Sequence, residues 1–178
     1  MSSAVYLASE DSTLLRNALR GYSGDAALEI GAGNGVNLVH LADAFRKVIG
    51  TDLVSPSMSD WWERGAEMVL TDGASCFRDG TFDLVAFNPP YVPSGEVVDP
   101  AVDDGGNAKV PLMFLREALR VVKDEGKIVM VVGGEDRLKD FAALCALKGF
   151  SLNLVAKKHL FYEELSVYEA STCEKASD

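Results

Sequence analysis

The sequence contains too few cysteines and histidines to build a disulfide framework or an intrinsic metal centre. Cys76, Cys145 and Cys173 lie far apart, are odd in number and show no C-x-x-C spacing, and His40 and His159 are the two histidines. Disulfide scaffolds and zinc sites depend on closely and regularly spaced ligands. We therefore expect a protein without a metal site.

Long apolar runs and an excess of positive charge are also missing. No run of about 18 apolar residues is present, as a membrane helix would need, and residues 1–4 are too short and uncharged to begin a signal peptide. We expect a cytoplasmic protein without a membrane partner. The 17 Lys and Arg residues face 27 Asp and Glu residues, which gives a formal charge of −10. Direct binding of free duplex nucleic acid is disfavoured, because phosphate contacts usually dominate such binding; a basic protein segment remains compatible, and so does RNA presented with a basic partner.

Apolar strand-like segments alternate with amphipathic helical segments along the 178 residues. Strands are predicted over 26–30, 47–52, 67–72, 82–86, 127–132, 151–158 and 165–170. Helices are predicted over 9–21, 36–45, 57–65, 111–122 and 135–148, with a long loop over 92–110. This alternation is typical of an α/β fold with a mostly parallel sheet. The length predicts one domain over 1–178, with an N-terminal helical segment over 1–24 and a polar tail over 171–178.

A glycine-rich loop, Gly31-Ala32-Gly33-Asn34-Gly35, follows the first predicted strand and precedes a helix. The dinucleotide-binding pattern G-x-G-x-x-G would need glycine at Val36. Glu29 instead gives the order acidic-x-G-x-G-x-G, which resembles the first motif of S-adenosylmethionine-dependent methyltransferases. Asp52 ends the next strand, where a carboxylate is suited to accept hydrogen bonds from a ribose diol.

Asn88-Pro89-Pro90-Tyr91 follows the strand predicted over 82–86. Neither proline has a backbone N–H, and a residue before proline favours an extended backbone. The side-chain oxygen of Asn88 and the carbonyl of Pro89 would then face one small volume and hold a planar –NH2 group through its two hydrogens, with Tyr91 stacked behind it. The motif thus points to an amide, or to the exocyclic amine of adenine or cytosine, as a nucleophile. The alternative is a plain Asn-Pro turn.

Taken together, the motifs resemble the short branch of HemK/PrmC-related methyltransferases found in archaea and eukaryotes. The matching segments are Val5-Tyr6, Glu10-Asp11-Ser12, the glycine loop, Asn88 to Pro93, Gly105-Gly106 and Leu165-Ser166-Val167. The resemblance implies a class I fold: a seven-stranded, mostly parallel sheet with helices on both faces and a C-terminal antiparallel hairpin. It further implies N5-methylation of the glutamine in the Gly-Gly-Gln motif of a class 1 translation release factor. S-adenosylmethionine would be the cofactor and S-adenosylhomocysteine the product.

The same resemblance assigns roles to individual residues. The implied cofactor contacts are Tyr6, Ser12, Glu29, Gly31, Gly33, Asp52, Asp72, Gly73 and Asn88, and the implied substrate clamp is Asn88, Pro89, Pro90 and Tyr91. Glu29 would anchor the cofactor's ammonium directly, through water or by fixing the loop, and Asp72-Gly73 would meet the adenine. Ser9 to Ser12 can equally be an ordinary polar helix start.

Members of this branch work as a heterodimer with a small zinc-binding activator protein. We hypothesise that such a partner docks along Glu67 to Leu70, because the expected sheet order places this strand at an edge. Three other functions remain open. An adenine-N6 methyltransferase acting on RNA or DNA could use the same clamp on a flipped base, a lysine methyltransferase would first have to deprotonate an ammonium, and a non-catalytic scaffold could retain the fold.

Overall fold

The structure, a computed structural model, describes residues 10–55, 61–90, 109–159 and 164–172. Its helices are α1 (Glu10–Ala18), α2 (Val36–Ala42), α3 (Lys109–Val121) and α4 (Glu135–Leu147). Its strands are β1 (Gly24–Ile30), β2 (Phe45–Asp52), β3 (Glu67–Leu70), β4 (Phe82–Phe87), β5 (Val122–Gly133), β6 (Phe150–His159) and β7 (Glu164–Thr172). None of the helices within these ranges is both long and apolar enough to cross a membrane.

All seven strands form one sheet in the order β3-β2-β1-β4-β5-β7-β6. Strands β1 to β5 run parallel, and β7 pairs antiparallel with both β5 and β6. The predicted fold class is confirmed. The chain leaves β1 for β2 and β3 on one side and returns to β4 on the other, so β1 and β4 flank a topological switch point, where open α/β sheets bind their ligands.

The register at the switch point sets the level at which the two central loops begin. Ile30 pairs with Phe87 of β4, and Ile30 also pairs with Thr51 of β2. The residues that follow these three, Gly31, Asn88 and Asp52, therefore leave the sheet at the same level. Neighbouring strand ends thus bring the glycine loop, the Asn-Pro-Pro motif and the strand-end carboxylate together.

Two apolar cores enclose the sheet, one on each face. Residues of α3 and α4 contribute to one of them, where the Phe87 ring meets Phe114 at 6.0 Å and Phe141 at 6.4 Å between centroids. Residues of α1 and α2 contribute to the other. Burial on both faces explains why the central strands are almost continuously apolar. The aromatic contacts at Phe87 anchor the end of β4 immediately before Asn88.

Some predicted boundaries were wrong. Phe45 was expected at the end of the second helix, but α2 ends at Ala42 and Phe45 begins β2 opposite Gly24. Phe45 lies four residues after Leu41, which mimics helical periodicity. Both residues are buried, but they belong to different elements. Helix α3 begins at Lys109, two residues before Pro111, where it was predicted to start. Proline is tolerated there because the N–H groups of the first turn of a helix have no partner within the helix.

Strand β5 also differs from its prediction, because it begins at Val122 rather than Lys127. Val122 pairs with Phe82, and the register then shifts before Lys127 pairs with Leu84. The polar residues at 123–126 have the composition of a loop, yet Lys123 bonds the Asp83 carboxylate at 2.6 Å and stays against β4.

Two further differences concern the helix predicted over 57–65 and the polar tail predicted over 171–178. Residues 61–65 form turns rather than the predicted helix, of which residues 57–60 lie outside the described ranges. Strand β7 runs to Thr172, two residues into the predicted tail. The assignment of residues 1–178 to one domain stays a prediction.

Candidate active site

The glycine loop makes a tight connection between β1 and α2 that only glycine fits at two positions. Gly31 and Gly35 have positive φ angles of 68° and 75°. A Cβ atom would lie 2.9 Å from the Phe114 ring at Gly31 and 2.5 Å from the Trp61 indole at Gly35. At Gly33, by contrast, a Cβ would meet nothing within 4 Å. The loop is therefore packed at both ends and open at Gly33, where a ligand can approach the backbone.

The Asp52 side chain connects the glycine loop to the turn after β2. Its two carboxylate oxygens accept the N–H of Gly33 at 2.9 Å and the N–H of Val54 at 3.1 Å. Its backbone carbonyl accepts the N–H of Thr71 at 2.9 Å, which draws the loop after β3 alongside. Each carboxylate oxygen has a second lone pair, and the side chain is only partly buried. Asp52 can thus accept a diol while it holds three loops in place.

The loop that carries Asp72 and Gly73 is held from α3. Asp72 is exposed, whereas Gly73 is buried with a φ of 57°. The Arg120 guanidinium donates to the carbonyls of Ala74 at 2.9 Å and Phe77 at 2.8 Å. Arg120 also bonds the carboxylates of Asp79 and Glu117. Sequence reasoning missed its role in this loop, because the two carbonyls that it holds there carry no residue-type signal.

Glu29 is a buried carboxyl group with an incomplete set of partners. It is 3% exposed; Oε1 accepts the Asn37 amide N–H at 2.7 Å, and Oε2 has no partner in the described structure. Burial raises the pKa of Glu29 to about 8, against the lowering effect of the Asn37 hydrogen bond, and the negative charge of Asp52 raises it further. A cationic group that approached Glu29 would restore its ionised form.

Asn88 is oriented by an acidic residue of the N-terminal helix. Its Nδ2 donates to Asp11 Oδ2 at 3.0 Å, and Asp11 is 2% exposed. The other carboxylate oxygen of Asp11 accepts the N–H of Ser12 at 3.0 Å. Because Nδ2 is committed to Asp11, the amide oxygen of Asn88 points elsewhere, and it is buried without a described partner. This leaves an acceptor of fixed orientation at the end of β4.

The structure brings most of the predicted site residues to one edge of the sheet. Glu29, the glycine loop, Asp52 and Asn88 are joined there through register or hydrogen bonds, and Ser12 follows Asp11. Pro89 is buried next to Asn88 and Pro90 is half-buried. Tyr6 and Tyr91 lie outside the described residues.

Two further residues, Asp11 and Asn37, entered the site without being assigned a role from the sequence. In the sequence, Asp11 belongs to a polar helix start and to one of the segments that resemble the methyltransferase family, but neither feature gives it a role of its own. Asn37 interrupts the apolar face of a helix, which is the one local signal that could have found it. In the ranges that the structure describes, no three His, Cys, Asp or Glu side chains converge on a point.

These residues suit the cofactor that the motif implies. The open backbone at Gly33 and the strand-end carboxylate of Asp52 match a ligand with an ammonium and a ribose. So does the buried carboxyl of Glu29, whose Oε2 has no partner among the described residues. The family described as methyltransferase domain matches residues 28–89, which begin in β1 and include the glycine loop and Asn88. A Streptococcus mutans protein solved in complex with S-adenosylhomocysteine shares the fold, with a TM-score of 0.62, 17% identity and coverage of 94% of this chain and 100% of that one. The chain is an S-adenosylmethionine-dependent methyltransferase of the class I fold.

Two relatives match it over almost its whole length. A Methanocaldococcus jannaschii protein named as a protein N5-glutamine methyltransferase is 26% identical over 182 residues, which cover 93% of this chain and 91% of the relative. The E. cuniculi Mtq2–Trm112 complex, described as responsible for methylation of the eRF1 translation termination factor, matches with a TM-score of 0.75 and 25% identity, over 94% of this chain and 98% of that one. The predicted resemblance to this group of methyltransferases is confirmed.

Proposed function

We propose that the chain methylates the side-chain amide of the glutamine in the Gly-Gly-Gln motif of a class 1 translation release factor. The observation that carries this proposal is the amide oxygen of Asn88, which is buried, has no partner among the described residues and is held in one orientation by Asp11. The M. jannaschii and E. cuniculi relatives support the choice of a glutamine. Such a role would place the protein in the cytoplasm, where translation ends.

The proposed clamp acts on both hydrogens of the glutamine –NH2 group. Asn88 Oδ1 would accept one hydrogen and the carbonyl of Pro89 the other, while Tyr91 would stack on the amide plane. The nitrogen lone pair would then point out of the clamp. S-adenosylmethionine, when bound, supplies an electrophilic methyl carbon on a sulfonium.

Positioning would supply most of the rate enhancement. Well-oriented intramolecular reactions show that about 7–11 kcal/mol of a barrier can be removed in this way. The two acceptors would also strengthen their bonds as the amide nitrogen loses its planarity and its N–H groups become more acidic, so they would stabilise the transition state more than the ground state. No dedicated base is needed, because the proton can leave after attack.

The proposed cofactor contacts divide among the other site residues. Glu29 would face the ammonium, Asp52 the ribose diol, and the Asp72-Gly73 loop the adenine. Ser12, Gly31, Gly33 and Tyr6 would complete the cofactor site near the glycine loop. The formal charge of −10 counts against an adenine-N6 methyltransferase that grips nucleic acid unaided.

The proposed activator site is the outer edge of β3. This strand ends the sheet, so its outward backbone groups can pair with a strand of another chain. Leu70 is 58% exposed, and Leu53, Val54 and Trp62 are also exposed apolar residues. We propose that a small zinc-binding activator pairs with Glu67–Leu70 to form a heterodimer, as the E. cuniculi relative was solved in complex with Trm112.

The test is incubation of the chain, co-expressed with its activator, with S-adenosylmethionine and a release factor, followed by mass spectrometry of the Gly-Gly-Gln peptide. We expect one added methyl group on the glutamine. Two release-factor variants test the specificity for this residue. Asparagine in place of the glutamine keeps the amide on a shorter side chain, and lysine replaces the amide with an amine. Methylation of the lysine variant and not of the glutamine would overturn the proposal.

Asn88→Ala is the matched enzyme variant. It should bind S-adenosylhomocysteine within a few-fold of the wild type and lose most turnover, since the clamp acts on the nucleophile. Near-normal turnover would show that Asn88 has another role.

A further inference from the structure

Asn37 is a buried polar side chain in a helix that packs on the sheet. It is 4% exposed, and its neighbours Leu38 and Leu41 are fully buried apolar residues of the same helix. A buried amide is costly unless it is hydrogen-bonded. The Asn37 Nδ2 donates to Glu29 Oε1 at 2.7 Å, and its Oδ1 has no described partner. An apolar residue at position 37 could fill the same buried space, so what asparagine contributes is the hydrogen bond to Glu29.

Among the residues that the structure describes, little else around Glu29 favours its charged form. Its sheet neighbours are Gly50 on β2 and Ala86 on β4, which offer no side-chain donor. The hydroxyl of Thr51 bonds the backbone carbonyl of Glu29 at 3.5 Å rather than its carboxyl group. Burial raises the pKa of Glu29 most, and the negative charge of Asp52 raises it further. Among the described residues, the hydrogen bond from Asn37 is the one interaction that lowers this pKa.

Among the side chains that the structure describes, the other titratable groups of the helices on this face are Asp11 and Arg16 on α1 and His40 on α2. Asp11 is buried and its carboxylate faces Ser12 and Asn88. His40 lies in the last turn of α2, one turn beyond Asn37, and is partly exposed. Of the described residues, Asn37 and Asp52 act on the pKa of the Glu29 carboxyl, and none of these three does.

We propose that Asn37 is a positioning residue for the cofactor: it orients the Glu29 carboxyl group and favours its ionised form, so that binding of the ammonium of S-adenosylmethionine expels a proton from Glu29 into solvent. This rests on the proposed contact between Glu29 and the ammonium. An amide can serve both states, because an ionised carboxylate accepts from Nδ2, whereas a protonated carboxyl donates to Oδ1 after a half-turn of the amide. No other bond forms or breaks in this step. A pKa of about 8 for Glu29 before binding means that the carboxyl holds its proton at neutral pH.

The first test needs no variant. S-adenosylhomocysteine is titrated into the full chain at pH 7 in two buffers that differ in ionisation enthalpy, and the difference in binding heat gives the number of protons released. We expect close to one proton per ligand. The ligand's own α-amino group titrates near 7.7–8.0, roughly as in model compounds, so Glu29→Gln provides the baseline; if that variant binds too weakly, the titration of the free ligand replaces it. Proton release no greater than the baseline would overturn the proposal.

The second test compares Asn37→Val with Asn37→Thr. The two replacements have nearly the same shape, but only threonine keeps a donor for Glu29. We expect Asn37→Val to weaken S-adenosylhomocysteine binding at pH 7 by about tenfold or more, as loss of a hydrogen bond to a charged group implies, and to move proton release to higher pH. Asn37→Thr should stay close to the wild type, and the difference should shrink above pH 9.

A purely structural role for Asn37 would give a different result. The two variants would then share one affinity and one pH profile, which would refute the proposal, and thermal unfolding shows whether both remain folded. The experiment involves no methyl acceptor. Its failure would leave the glutamine assay intact, and failure of that assay would leave the binding result standing.

Discussion

Removal of the Asp11 carboxylate should reduce turnover while leaving the cofactor in place. The bond from Asn88 Nδ2 to Asp11 Oδ2 measures 3.0 Å and is largely shielded from water, since Asp11 is 2% exposed. Hydrogen bonds to charged groups contribute about 1.5–3 kcal/mol. Without this bond, the Asn88 amide can rotate and present its donors to the –NH2 of the substrate, which also offers only donors. Asp11→Ala should therefore lower the rate of methyl transfer by about 10- to 150-fold.

The assay is single-turnover methyl transfer at saturating S-adenosylmethionine, with S-adenosylhomocysteine affinity measured separately by calorimetry. Asp11→Asn keeps one oxygen acceptor of similar shape, so we expect a smaller loss of rate than in Asp11→Ala. Asp140→Asn is the matched control, because Asp140 is an exposed carboxylate on α4. If Asp11→Ala turned over within twofold of the wild type, or if its loss of rate were matched by an equal loss of cofactor affinity, Asp11 would not orient Asn88.

Three further predictions follow from other parts of the site. Asp52→Ala should weaken S-adenosylhomocysteine binding by about 10- to 150-fold, because the ribose loses a charged acceptor; unchanged affinity in calorimetry would rule the contact out. Val69→Lys should prevent copurification of the activator, while Val155→Lys on the opposite edge strand β6 should not; full recovery of the complex with Val69→Lys would remove β3 from consideration. Folding raises the pKa of Glu29 from 4.5 to about 8, so the folded state binds more protons than the unfolded state between those two pH values. The free energy of unfolding should therefore fall as pH rises through this window, and it should fall less in Glu29→Gln. An equal pH dependence of the free energy of unfolding in the two proteins, measured by urea denaturation, would contradict this.

The sheet and the main loops could be predicted because their signals are local. The apolar runs of β1, β4 and β5 are buried on both faces, and glycine at 31, 33 and 35 is required by backbone conformation within a single turn. Local periodicity also produced the main error in a helix boundary. Phe45 continues the spacing of α2, and only its pairing with Gly24 of β1 reveals that it belongs to a strand.

The groups that orient the predicted site residues could not be predicted in the same way. Asp11 and Asn88 are 77 positions apart in the chain, and Arg120 reaches back 46 positions to the carbonyl of Ala74. Such contacts depend on how α1 and α3 pack against the sheet, which no local pattern specifies. The sequence thus revealed Asn88, because the chemistry of the clamp requires an amide there. It did not reveal the role of Asp11, because that role depends on the position of Asp11 next to Asn88 in the folded chain.

The buried polar atoms that lack partners provide an argument for the site that is independent of any motif. In the part of the chain that the structure describes, four such side-chain atoms occur, on Glu29, Asn37, Trp61 and Asn88. Each unsatisfied buried group costs about 1–3 kcal/mol, and the other buried side-chain N and O atoms of the described residues avoid this cost. Glu29 and Asn37 flank the glycine loop, the Trp61 indole packs against Gly35, and Asn88 follows the strand next to β1. These four atoms lie around one loop, as expected where ligands rather than the chain itself complete the hydrogen bonds. Both the cofactor and the methyl acceptor should therefore stabilise the protein on binding.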